Sequence, residues 1–218
     1  ANIYNIAIEG SFDDCQKIVK ELFNEDSFRS KINMSGVNSI NWARIVCQIV
    51  YYFYSFFMLK KNNISFSVPT GNFGDIFAGY VAKKMGLPIN KLIVATNEND
   101  ILQRVINNGE YKPDKVKPSI SPSMDIQVAS NFERLLFYIV GQDDQKVSLL
   151  MDHLSKKGFF KLDESEIQEI KKDFEAVKIN DETTELIIKN INDQFKFIVD
   201  PHTATGFGAA KKIKDLEN

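Results

Sequence analysis

Between Ile64 and Ala95 the hydrophobic period changes twice, and a parallel sheet covered by helices is the architecture that accommodates such changes. Ile64-Ser65-Phe66-Ser67-Val68 alternates apolar and polar residues as a half-buried strand does, and Pro69-Thr70-Gly71 ends it. Asp75 to Met85 then carries Ile76, Phe77, Tyr80 and Val81 at helical spacing and stops at Gly86 and Pro88. Leu92-Ile93-Val94-Ala95 is apolar throughout, as a central parallel strand covered on both faces must be. Another helix is expected over Asn99 to Asn108. Strand-helix alternation of this kind places the chain in the α/β class.

The flanking sequence extends the pattern. Ile3, Tyr4, Ile6 and Ile8 give Asn2 to Ile8 the look of a further strand of the same sheet. Ser11-Phe12-Asp13-Asp14 has the S-x-x-D form of a capping box ahead of a helix bearing Cys15. Trp42 to Leu59 is nearly all apolar and aromatic, which suits a membrane span or a helix buried on all sides. Arg44 and Gln48 within the run, and Lys60-Lys61-Asn62-Asn63 closing it, favour the buried helix. Pro113, Pro118 and Pro122 mark a boundary, so residues 1–122 are expected to form part of an α/β domain. Residues 123–218 are expected to be mostly helical and to return to the core near 197–218. Helices are predicted at Asn131 to Val140, Gln145 to Lys157, Glu164 to Glu175 and Glu182 to Gln194. Phe197-Ile198-Val199 reads as a strand, and Asp200-Pro201 as the start of a last helix. A chain that opens in a strand and closes in a helix reads as part of something longer.

Composition removes several partners. The 27 Lys+Arg against 29 Asp+Glu leave a net charge of −2, so neither nucleic acid nor an anionic membrane is the expected partner. Cys15 and Cys47 are too few for a disulfide scaffold, no signal peptide is visible, and a cytoplasmic setting is expected. His153 and His202 lie far apart, and no metal site is expected.

The chemistry concentrates at the strand-to-helix junction Val68-Pro69-Thr70-Gly71-Asn72-Phe73-Gly74-Asp75. Two glycines let the backbone turn tightly and approach a ligand closely. The helix that follows aims its free N–H groups and its positive dipole end at the loop, which makes a main-chain phosphate cradle. No Gly-Lys-Ser/Thr follows, so this is not a Walker loop, and the Rossmann glycine spacing is missing too. The alternative is that Gly71 and Gly74 serve only the turn. An Asp75 carboxylate facing a dianion would repel it, so its side chain is expected to cap nearby N–H groups or to turn away. Asn38, Ser39 and Asn41 offer short polar groups on a substrate side, or an N-cap for the Trp42 helix. Arg134 is either an anion ligand or a structural partner, and no catalytic role falls to His202.

Ser67 to Asp75, followed by Ala78-Gly79 and Met85-Gly86-Leu87-Pro88, resembles the phosphate-binding segment of the threonine synthase family. Asn38-Ser39-Ile40-Asn41-Trp42-Ala43-Arg44, Ala95-Thr96-Asn97-Glu98-Asn99-Asp100, Ser123-Met124-Asp125-Ile126, Ser130 to Leu135 and Asp200-Pro201-His202-Thr203-Ala204 resemble further family segments in the same order. The resemblance implies a fold-type II pyridoxal-phosphate core, related to tryptophan synthase β, with pyridoxal 5′-phosphate as cofactor. It implies a lyase of threonine biosynthesis that converts O-phospho-L-homoserine and water to L-threonine and phosphate. Gly71, Asn72, Phe73, Gly74 and Asp75 would then hold the cofactor phosphate, mainly by backbone N–H groups. The family's Schiff-base lysine stands in a Ser-Phe-Lys-Asp-like segment that this chain lacks; Lys83 and Lys84 lie two turns along the helix. A later His-Pro-Ala-Lys-Phe-like segment would fall after Asn218. The chain therefore resembles a C-terminal half, with no catalytic residue of its own and the N-terminal half of the same polypeptide as its partner. The alternatives are a non-catalytic phosphate-ligand or protein-binding domain, or another fold-type II lyase such as a serine/threonine dehydratase.

Overall fold

The structure is a computed structural model that describes residues 2–10 and 12–216, and it divides into two units, Ala1–Val37 and Asn38–Asn218. The first unit holds helices α1 (Phe12–Asn24) and α2 (Asp26–Ile32), the latter closed by Asn33 in the left-handed region at φ 47°. Asn2 to Ile8 forms no strand, contrary to its pattern. Ile3, Tyr4 and Ile6 are 80%, 82% and 87% exposed, and neither sheet includes them. The capping residue expected at Ser11 lies outside the described residues.

The second unit begins with α3 (Trp42–Leu59), β1 (Ile64–Pro69), α4 (Gly74–Lys84), β2 (Ile89–Thr96), α5 (Ile101–Asn108) and the short β3 (Glu110–Tyr111). A 3-10 turn at Pro122–Met124 leads to α6 (Phe132–Ile139), α7 (Asp144–Lys157), β4 (Phe160–Lys161), α8 (Glu164–Asp173), β5 (Phe174–Lys178), α9 (Asp181–Phe195) and α10 (Pro201–Leu216). Strands β1, β2 and β5 form one parallel sheet in that order, with Val68 beside Val94 and Ala95 beside Val177. Strand periodicity sends Leu92, Val94 and Ala176 to one face, into a core shared with α4, α5, α6 and α8. Ile93, Ala95 and Val177 go to the other, where Ala209 of α10 and Ile187 of α9 cover them. This is the parallel sheet with helices on both faces that the first-half alternation predicts.

Three elements differ from their sequence patterns. Strand β5 takes Phe174 and Glu175 from the end of the helix expected over Glu164 to Glu175 and runs on to Lys178. Ile167, Ile170 and Phe174 keep apolar spacing across the junction, so the period gives no warning of the change. Phe197-Ile198-Val199 is not a strand; Val199 alone is buried there, while Phe197 and Ile198 stand 63% and 74% exposed. Helix α3 is not buried on all sides. Only Ile45 and Tyr52 are buried, while Val50, Tyr51, Tyr54, Phe57 and Met58 are all more than 60% exposed. Among the described residues it is the one helix long and apolar enough to cross a bilayer. Its inner edge packs on α4, where Tyr52 lies over Gly79 so closely that a Cβ there would stand 2.5 Å from the ring.

Candidate anion-binding site

The site grows out of the C-terminal ends of β1 and β2, where a parallel sheet leaves a crevice for ligands. Thr70 N–H still donates to Ala95 O at 2.8 Å, and its hydroxyl donates to Val68 O at 2.6 Å, so the loop departs from a firmly held strand end. Gly71-Asn72-Phe73 follow, and α4 starts at Gly74 with its first helical bond from Phe77 N to Phe73 O. Among the described residues no protein acceptor receives the N–H groups of Gly71, Phe73, Gly74 or Asp75. Those of Gly74 and Asp75 are free because a helix has no earlier carbonyl to offer its first turn.

The left-handed residue of this loop is Phe73 at φ 63°, not a glycine. Left-handed backbone costs a side-chain-bearing residue about 1–2 kcal/mol, and the ring offsets it: Phe73 is fully buried against Phe132 and Phe174. The glycines serve close approach instead. A Cβ on Gly71 would stand 3.0 Å from Ser123 O, and one on Gly74 would stand 2.9 Å from Ser39 Cβ. A side chain at Gly74 therefore meets the protein itself before it meets any ligand.

Asp75 turns toward α3. The Tyr52 hydroxyl donates to the Asp75 carbonyl oxygen at 2.9 Å and lies near the carboxylate, whose Oδ1 is buried with no partner among the described residues. Burial raises the Asp75 carboxyl above its ordinary value, with the neighbouring Tyr52 hydroxyl acting in the opposite direction. Burial likewise pushes the Tyr52 phenol well up, with the Asp75 charge adding to it.

Of the polar residues ahead of α3, Ser39 is brought against the loop. Asn38 Oδ1 accepts from Ile40 N at 3.1 Å, and Asn41 Oδ1 accepts from Ala43 N at 3.0 Å as the N-cap of α3. Ser39 Oγ accepts from Asn131 Nδ2 at 3.0 Å. Arg134 donates through Nε to Asn131 Oδ1 at 3.0 Å and through Nη2 to Ile40 O at 2.9 Å, and its guanidinium covers the Trp42 ring. Two of its five N–H donors thus tie Asn131 and the 38–42 segment together. Asn131 lies in the Ser130 to Leu135 segment that carries the family resemblance, but nothing in that segment alone marks it as a site residue.

Another buried network fixes the segment behind Gly71. The Asp125 carboxylate accepts from Ser119 N and Oγ, Asn97 Nδ2 and Asn99 Nδ2, at 2.6–3.0 Å. Ser123 N donates to His202 Nε2 at 3.3 Å, and His202 Nδ1 lies 3.1 Å from the Asp200 carboxylate. A cleft of about 670 Å³ beside α9 and α10 shares no residue with the loop.

No protein-family model matches the chain. Individual relatives do. Threonine synthase of Pseudomonas aeruginosa is 48% identical over 98% of this chain and 46% of its own length. That of Saccharomyces cerevisiae is 45% identical over all of this chain and 46% of its own. The PLP-bound threonine synthase crystal structure from Brucella melitensis matches with a TM-score of 0.87 at 48% identity, over 94% of this chain and 45% of that one. The chain belongs to the threonine synthase family. It spans about half the length of the curated relatives it matches. As a threonine synthase segment it has the fold-type II core, with the loop described above at the sheet's C-terminal edge. The lysines nearest that loop in sequence are engaged elsewhere: Lys83 pairs with Asp173 at 2.7 Å, and Lys84 lies over the Tyr80 ring. No group of metal-ligating side chains occurs among the described residues.

Proposed function

We propose that this chain is the phosphate-binding half of a pyridoxal-phosphate-dependent threonine synthase that converts O-phospho-L-homoserine and water to L-threonine and phosphate. The observation that carries the reading is the set of acceptor-free N–H groups at Gly71, Phe73, Gly74 and Asp75 at the head of α4. They suit a phosphate dianion because main-chain donors and the positive helix end favour negative charge. Asp75 does not oppose it, because its carboxylate lies by Tyr52. Pyridoxal phosphate, when bound, supplies the electron sink that lets protons leave Cα and Cβ and the γ-phosphate depart. This chain's part is to bind and orient: Gly71 to Asp75 hold the phosphate end, and the 38–41 segment carries Ser39 to the same loop.

The proton-moving lysine belongs, in this reading, to the remainder of a polypeptide about twice as long, which is the partner of this half. The family coverage near 46% and the outward apolar face of α3 support that. Exposed free thiols at Cys15 and Cys47 suit a cytoplasmic setting. The test is phosphate release from O-phosphohomoserine in the presence of pyridoxal phosphate. The 218-residue chain is expected to show none, and the same chain joined to the remaining half is expected to turn over. Turnover by the chain alone would overturn the division of labour. A joined polypeptide that binds phosphate without turnover would favour the non-catalytic module.

A further inference from the structure

Phe73 holds an unfavourable backbone conformation, and something must fix it there. We propose that Asn131 is the positioning residue that aims the Asn72–Phe73 peptide at the anion site, and that Arg134 locks Asn131 in place. The inference rests on the anion-binding reading of the Gly71–Asp75 loop. Asn131 is fully buried. Its backbone N–H and its Nδ2 both donate to Asn72 O at 3.1 Å. A trans peptide is planar, with its C=O and N–H pointing opposite ways. Two donors fastened to Asn72 O therefore direct the Phe73 N–H away from Asn131, and among the described residues that N–H has no protein acceptor.

The amide is fixed in turn. Its Oδ1 accepts from Arg134 Nε, which sets the orientation of the amide plane and leaves Nδ2 facing Asn72 O and Ser39 Oγ. Arg134 also ties Ile40 O, so the 38–41 segment, Asn131 and the loop are held as one body. Ser130 Oγ adds a bond to Asn72 Oδ1 at 3.1 Å. A left-handed residue persists when its surroundings over-determine it, and this ring of hydrogen bonds does so from outside the loop.

Asn131→Asp keeps the shape but loses the side-chain donor and sets a carboxylate against a carbonyl oxygen. The experiment uses the full-length polypeptide that contains this chain, loaded with pyridoxal phosphate and observed by 31P NMR, with the dissociation constant measured in parallel. Wild type should give a protein-bound phosphorus signal; if it gives none, the anion-site reading fails and this inference falls with it. Given that signal, Asn131→Asp should move it and weaken cofactor binding roughly 10- to 100-fold, the scale of one charge-assisted hydrogen bond. Arg134→Gln should move the signal in the same direction with a smaller loss. A purely structural role lowers the melting temperature but leaves the phosphorus shift and the affinity of the folded fraction alone. A folded Asn131→Asp protein with an unmoved signal and affinity within twofold of wild type overturns the proposal. If Asn131→Asp does not fold, the same result in folded Arg134→Gln overturns it.

Discussion

Asp75 sits where its helix favours a negative charge and its surroundings do not. In the first turn of α4 the dipole stabilises a carboxylate, yet burial prevails and the folded-state pKa lies above the ordinary 3.8. The folded chain then holds this proton more tightly than the unfolded chain does. The stability cost develops as pH rises from 3.8 through the folded value, and it stays in place above that. Asp75→Asn is therefore expected to raise the melting temperature at neutral pH and to give no gain below 3.8; an equal gain at both would disprove the assignment. Asp200 has the opposite sign. The Thr203 hydroxyl, with backbone N–H groups and His202, lowers its carboxyl to about 2 as it caps α10. Its contribution is present above 3.8 and is lost as pH falls through about 2. Asp200→Ala should cost about 1 kcal/mol, as loss of an N-cap does, with thermal unfolding at neutral pH as the measurement.

At the scale of elements, the α3–α4 contact depends on one missing side chain. A Cβ on Gly79 would stand 2.5 Å from the Tyr52 ring and 2.9 Å from Leu92. Tyr52 is also the residue that bonds the head of α4, so it has no freedom to retreat. Gly79→Ala should lower stability by roughly 1–3 kcal/mol through overpacking, seen as a lower urea midpoint at unchanged slope. The helices and strands with sharp punctuation were legible in sequence: Gly86-Leu87-Pro88 between α4 and β2, and Asp200-Pro201 before α10. Strand β5 was not, because the chain passes from α8 into it without a turn residue. The apolar runs near Ile3 and Phe197 had strand composition but no neighbour, and pairing is a property of the fold, not of the run. In the candidate site the sequence revealed the loop but not the cause of its shape. Left-handed backbone is normally signalled by Gly or Asn, and here the position falls to Phe73, whose ring the core requires. Asn131 was hidden for a related reason: its partners at Ser39, Asn72 and Arg134 come together only in three dimensions.

The whole molecule shows an imbalance between its faces. Val46, Val50, Tyr54 and Met58 repeat at every fourth residue along α3 and are all exposed, which makes a continuous apolar stripe. The isolated chain should self-associate through it, and a Val50→Lys, Tyr54→Lys double variant should sediment as monomer; equal association of both forms would assign the contact elsewhere. The sheet order has a further consequence, in time rather than in space. The central strand β2 can pair with β1 as soon as both are made, but its other edge has no partner until β5 is made, where Leu92 meets Phe174. Roughly eighty residues separate those partners, and at a synthesis rate of about 5–20 residues per second the wait is several seconds. During that interval the β2 edge carrying Leu92, Ile93, Val94 and Ala95 is open to pairing with other nascent chains. For this chain, slowing the delivery of α5 to α8 is therefore expected to lower the yield of folded protein.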